Sequence, residues 1–129
     1  MKEGVVVEPK HNFDLEKRTT DFALKVIRLC RSVPKDSVNN RITGQLAGCS
    51  GSIGANYREA NDSLGKKDFL NRLRITRKEA KETIHWLVIL REANEKQYYN
   101  EIDECIKEAM EIKNIFSTII NKVEIKNQQ

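Results

Sequence analysis

Proline and glycine are scarce in this chain: two prolines and six glycines in 129 residues, with neither type after Gly65. A half-chain without these breakers has nothing to interrupt a helix. Cysteine is equally sparse. Cys30, Cys49 and Cys105 are far apart, odd in number and in no C-x-x-C or Cys/His ligand spacing, which excludes a disulfide framework and a zinc site. Reduced thiols of a cytoplasmic protein are the expectation. Long apolar runs are missing too. The N-terminal segment holds only three consecutive apolar residues, Val5 to Val7, too few for a signal-peptide core, and nothing later is long enough to span a bilayer. Neither a membrane partner nor a cofactor is expected.

What is present is charge and helix formers. A third of the residues are charged, and Leu, Ile, Ala, Lys and Glu dominate, the composition of an all-α domain. At 129 residues one domain buries roughly two-thirds of its unfolded surface, enough for a core without staples.

Four apolar periodicities follow one another. Leu15, Phe22, Val26, Leu29 and Val33 recur at helical steps until Pro34, which pushes the preceding residue out of the helical region. Val38, Ile42, Leu46, Cys49, Ile53 and Ala60 form the second set. Phe69, Leu70, Leu73, Ala80, Ile84, Leu87 and Val88 form the third, between Gly65 and the polar segment 94–97. Ile102, Ile106, Ala109, Ile112, Phe116, Ile119 and Val123 form the fourth. Short connections between long amphipathic segments predict an antiparallel up-and-down four-helix bundle over residues 13–125. Residues 1–12 are expected as a flexible arm and 126–129 as a frayed tail.

Four of the six glycines crowd into Gly44 to Gly54. The spacing is not G-x-G-x-x-G, lacks a G-K-[ST] ending, and does not make a G-x-S-x-G elbow, and no strand is available to mount any of these. The second apolar set instead runs through the stretch without losing phase. At about 100° per residue, Gly44, Gly48, Gly51 and Ala55 fall on the helix side opposite Ile42, Leu46, Cys49 and Ile53. Glycine within a helix costs on the order of 1 kcal/mol relative to alanine, so a bare face asks for a close neighbour. Two neighbours are open: a sister subunit of a homo-oligomer, or a small-residue seam within the monomer.

Glu82 and His85 form a Glu-x-x-His, the ligand pair of carboxylate-bridged metal sites in bundles. The other histidine, His11, lies in Glu8-Pro9-Lys10-His11, ahead of the first helical pattern. Glu82 projects roughly 160° from the line of Ala80, Ile84 and Leu87 at about 100° per residue. No metal site is expected. Asn56, at the edge of the apolar stripe, and Glu59 are expected to clamp one helix to another rather than to catalyse.

Charge is unevenly spread. Through Arg91 there are 18 basic and 11 acidic residues; from Glu92 onward there are 5 and 8. On the third helix Lys67, Arg74, Lys78, Lys81 and His85 follow steps of 7, 4, 3 and 4. They share one flank, with Arg72 and Arg77 as neighbouring cations. Such a stripe suits RNA or DNA phosphates. It also suits an ordinary solvated face, with Lys78 and Glu82 paired one turn apart.

Phe13-Asp14-Leu15, then Ser52-Ile53-Gly54-Ala55-Asn56 with Glu59-Ala60, then Phe69-Leu70 and Glu82-Thr83 with Trp86-Leu87 resemble the four-helix-bundle family encoded by intervening sequences in bacterial 23S ribosomal RNA genes. The accessory variability proteins of diversity-generating retroelements are similar. The resemblance covers roughly Phe13 to Val123, its most specific part being S-I-x-x-N-x-x-E-A. It implies a ring of five subunits with a basic surface, a binding role beside nucleic acid or a partner enzyme such as a reverse transcriptase, and no catalytic residue.

Overall fold

The computed structural model describes residues 7–128, with side chains described over 15–126. Four helices follow one another: α1 Val7–Ser32, α2 Ser37–Asn61, α3 Lys66–Glu92 and α4 Tyr99–Gln128, with a 3₁₀ turn at Lys96–Tyr98 before the last. No strand occurs among the described residues.

The connections explain the ends. Asp36 caps α2, its carboxylate accepting the Asn39 N–H at 2.8 Å, which satisfies one of the first-turn donors that a helix leaves orphaned. Gly65 opens α3 at φ 146°, a backbone conformation in which a Cβ is strained. Helix α1 begins at Val7, earlier than the residue-13 start that the apolar pattern suggests. Pro9 fits there because the first helical turn needs no intrahelical N–H donor. The segment expected as an arm is therefore helical from Val7, and residues 1–6 lie outside the described residues. The expected tail continues α4 to Gln128, and Gln129 lies outside them.

Sequential helices pack side by side in opposite directions. Along α1 and α2, Glu16 accepts from Asn61 Nδ2 at 2.9 Å near one end, and the Cys30 thiol faces the Thr43 carbonyl near the other. Arg72 meets Asn56 and Thr83 meets Cys49 across α2 and α3; Arg91 meets Asp103 across α3 and α4. The α2–α3 and α3–α4 seams are the most extensive, and the α1–α4 seam the thinnest.

The core holds Leu15, Phe22, Val26, Leu29 and Val33, every position of the first periodic set. Tyr57 meets Phe116 edge-on at 5.1 Å between centroids. Each large side chain buried here contributes about 1.5–3 kcal/mol of transfer free energy. Two expected core positions are corrected: Val38 is 59% exposed and Val88 45% exposed. At the level of Val38 the inward position belongs to its neighbour Asn39. Ile119 is only partly buried, the fully buried residue being Ile120.

Candidate nucleic-acid interface

Helix α3 buries Leu70, Leu73, Thr76, Ala80, Thr83, Leu87 and Leu90. Its opposite side must therefore face water, and Lys67, Arg74, Lys78, Lys81 and His85 are all exposed there. Among the described residues Lys67, Lys78 and Lys81 form no ion pair within 4.0 Å, and Lys78 does not pair with Glu82. Arg74 differs, since Glu124 of α4 holds its guanidinium. Arg72 turns the other way: its Nη1 donates to Asn56 Oδ1 at 3.3 Å, while Asn56 Nδ2 donates to the Ser52 carbonyl at 2.9 Å. Arg72 thus completes the α2–α3 clamp expected of Asn56. Glu59 is exposed and takes no part in it. Arg77 is half-buried, nearer the α4 side than the stripe itself.

On the other flank of α3, burial pushes the Glu79 carboxyl above its ordinary value, with Glu82 adding to the rise and Lys78 opposing it. His85 packs edge-on against Trp86, centroids 5.2 Å apart. The stripe is cationic from Lys67 to Lys81, with Glu79 and Glu82 toward α2 and Glu124 at Arg74.

The glycine-rich stretch lies wholly within α2 as one continuous helix. Gly44, Gly48, Gly51 and Ala55 are exposed, and a Cβ at any of the three glycines would meet nothing within 4 Å. Gly54 is the glycine that a neighbour needs: a Cβ there would stand 3.0 Å from Thr19 Oγ1, a buried hydroxyl donating to the Leu15 carbonyl at 2.8 Å. The small-residue seam inside the monomer is therefore Gly54 against α1, and the other three glycines face outward.

A model of 23S rRNA-intervening sequence proteins matches residues 11–118. The chain belongs to that family. It is also similar to a solved protein of unknown function from the S23 ribosomal protein family of Bacteroides thetaiotaomicron, with 26% identity over 82% of this chain and 97% of that one and a TM-score of 0.70. No curated protein sequence matches the chain.

In this intervening-sequence protein Glu82 and His85 are both exposed, outside the bundle interior where a carboxylate-bridged metal would sit. No group of three His, Cys, Asp or Glu among the described residues has the geometry to hold a metal. A groove of about 550 Å³ lies between α1 and α4, with Phe22 in its lining. Arg18 bridges it to Glu108 and Glu111, and Lys25 bridges it to Glu104. Its four cations and four carboxylates cancel, so it offers no net attraction to a polyanion. Sequence periodicity did not reveal these pairings, because an i,i+4 rule sees one helix at a time.

Proposed function

We propose that this protein is a non-catalytic, nucleic-acid-associated binding or scaffold protein that contacts RNA or DNA phosphates through the outward face of α3. The observation that carries the reading is the row of Lys67, Lys78 and Lys81, exposed and without ion pairs among the described residues. Each lysine that neutralises a phosphate releases counterions, so binding weakens steeply as salt rises. Lys78→Glu with Lys81→Glu abolishes binding of a labelled RNA or DNA oligonucleotide while sedimentation of the protein is unchanged. Retained binding by that variant refutes the reading.

We further propose that the bare face of α2, Gly44, Gly48, Gly51 and Ala55, packs against a sister chain, with the pentameric ring implied by family resemblance as the assembly. The open space over the three glycines supports this. Gly48→Leu then lowers the sedimentation coefficient at unchanged helicity; a wild-type monomer at high concentration removes the proposal. In such a ring the α3 stripes add into one field. The same bare face favours a second reading, a module that docks a partner protein such as a reverse transcriptase and touches nucleic acid weakly. Under it the α3 charge reversal leaves function intact and Gly48→Leu does not. Three free, at least half-buried thiols and the lack of any described helix apolar enough to cross a membrane support a cytoplasmic setting.

A further inference from the structure

Two ion pairs mark how α3 faces α4. Arg91 Nε donates to Asp103 Oδ1 at 2.7 Å near the turn, and Arg74 pairs with Glu124 at the far end. On α3, Arg77 and Lys81 stand between these arginines at steps of three and four from Arg74, and ten residues from Lys81 to Arg91 close nearly three turns at 3.6 residues each. On α4 ten residues lead from Asp103 to Lys113, and Ser117 follows four later. Equal steps from a shared ion pair bring Lys81 opposite Lys113 and Arg77 opposite Ser117, within about one turn. Between its ion-paired ends neither row carries an acidic residue. Lys81 is exposed, Arg77 and Lys113 are half-buried, and none of the three forms an ion pair among the described residues. Like charges held together without a counter-charge repel, and an anion relieves them.

We propose that the phosphate-binding surface is a two-helix face, on which Lys113 of α4 is a further phosphate contact beside Arg77 and Lys81. Glu124 bounds this face by holding Arg74 as an intramolecular counter-charge. The proposal rests on the polyanion reading above and extends it to α4, the helix whose overall charge is acidic. Glu124 then limits affinity: releasing Arg74 adds one cation to the face.

The test measures binding of a labelled mixed-sequence single-stranded RNA, and of the matching DNA duplex, across a salt series for wild type, Lys81→Glu, Lys113→Glu and Glu124→Gln. Helicity and sedimentation are checked for each variant. Lys113→Glu is expected to weaken binding as much as Lys81→Glu. Glu124→Gln is expected to strengthen it and to steepen the slope of log K against log salt by about 0.7–0.9, the value for one added phosphate contact. If Lys81→Glu weakens binding while Lys113→Glu and Glu124→Gln both leave affinity and slope at wild-type values, the face ends at α3 and this proposal is wrong while the function stands. Wild-type protein that binds neither probe overturns both. Relative strength on RNA and duplex identifies which polyanion the face prefers.

Discussion

Asn39 is 3% exposed, yet it ties the α1–α2 connection to the residues that follow α3, at one end of the bundle. Its Nδ2 donates to Asn94 Oδ1 at 2.9 Å and to the Pro34 carbonyl at 2.9 Å, and Asn94 Nδ2 returns a bond to Asn39 Oδ1 at 3.0 Å and reaches the Leu90 carbonyl at 2.8 Å. A buried amide is tolerated only when its partners are complete. Asn39→Ala leaves the Asn94 and Pro34 oxygens without these donors and is expected to cost about 1–3 kcal/mol in urea unfolding. Gly54→Ala is expected to destabilise by on the order of 1 kcal/mol. The new methyl would stand 3.0 Å from Thr19 Oγ1 and 3.5 Å from Thr19 Cβ, and that hydroxyl is anchored to the Leu15 carbonyl. A Gly54→Ala variant with a raised urea midpoint would show that α1 can move aside. Neither role is visible in periodicity, which treats asparagine as a surface residue and all four glycines of the stretch alike.

Within α3, the apolar pattern alone leaves two gaps in the inward line, filled by Thr76 and Thr83, both fully buried. Each hydroxyl returns to its own helix: Thr76 Oγ1 donates to the Arg72 carbonyl at 2.9 Å and Thr83 Oγ1 to the Glu79 carbonyl at 2.8 Å. That back-bonding disposes of the polar group, so the side chain packs as a branched hydrophobe. Thr76→Val is expected to change stability by less than about 1 kcal/mol, because the carbonyl it releases keeps its helical partner. Leu73→Ala in the same line is expected to cost about 2–5 kcal/mol. Both follow from urea midpoints at unchanged slope. Helix α2 shows the complementary case, in which the apolar phase correctly carried the helix through four glycines. Its first turn departs from that phase, because Val38 is exposed and Asn39 takes the core position.

At the scale of the whole molecule, the α1–α4 seam is the thinnest and is bridged by ion pairs. Arg18 holds Glu108 through Nε at 2.7 Å and Nη2 at 2.8 Å, with Glu111 also at 2.8 Å from Nη2. The Glu108 and Glu111 carboxylates hold the guanidinium firmly protonated. With more than a third of the Arg18 side chain exposed, solvent screens the pairing, and its worth is expected to be no more than about 1 kcal/mol in a double-mutant cycle. That coupling shrinks further in 1 M salt, where the screening length is about 3 Å. The thiols set a second molecular property. Burial raises Cys30 and Cys105 from 9.0 to about 11. A folded-state value above the unfolded one means that stability is intact below pH 9, where both states keep the proton. It declines as pH rises from about 9 to 11, since only the unfolded chain ionises there. Melting temperatures across that range, compared with a Cys30→Ser, Cys105→Ser variant, check it.

The number of helices, their approximate spans, the core stripe of α1 and the cationic stripe of α3 follow from residue spacing, because a helix repeats its faces at a fixed local period and needs no knowledge of its neighbours. The partners of those faces do not. Arg74 and Lys81 share one stripe in sequence, but packing against α4 gives the first a carboxylate partner and leaves the second without an ion pair among the described residues. Gly51 and Gly54 differ by three residues, and only the crossing of α1 decides that one is open and the other enclosed. Register and proximity between helices are set by the summed fit of many side chains across the seams, and no single segment carries that sum.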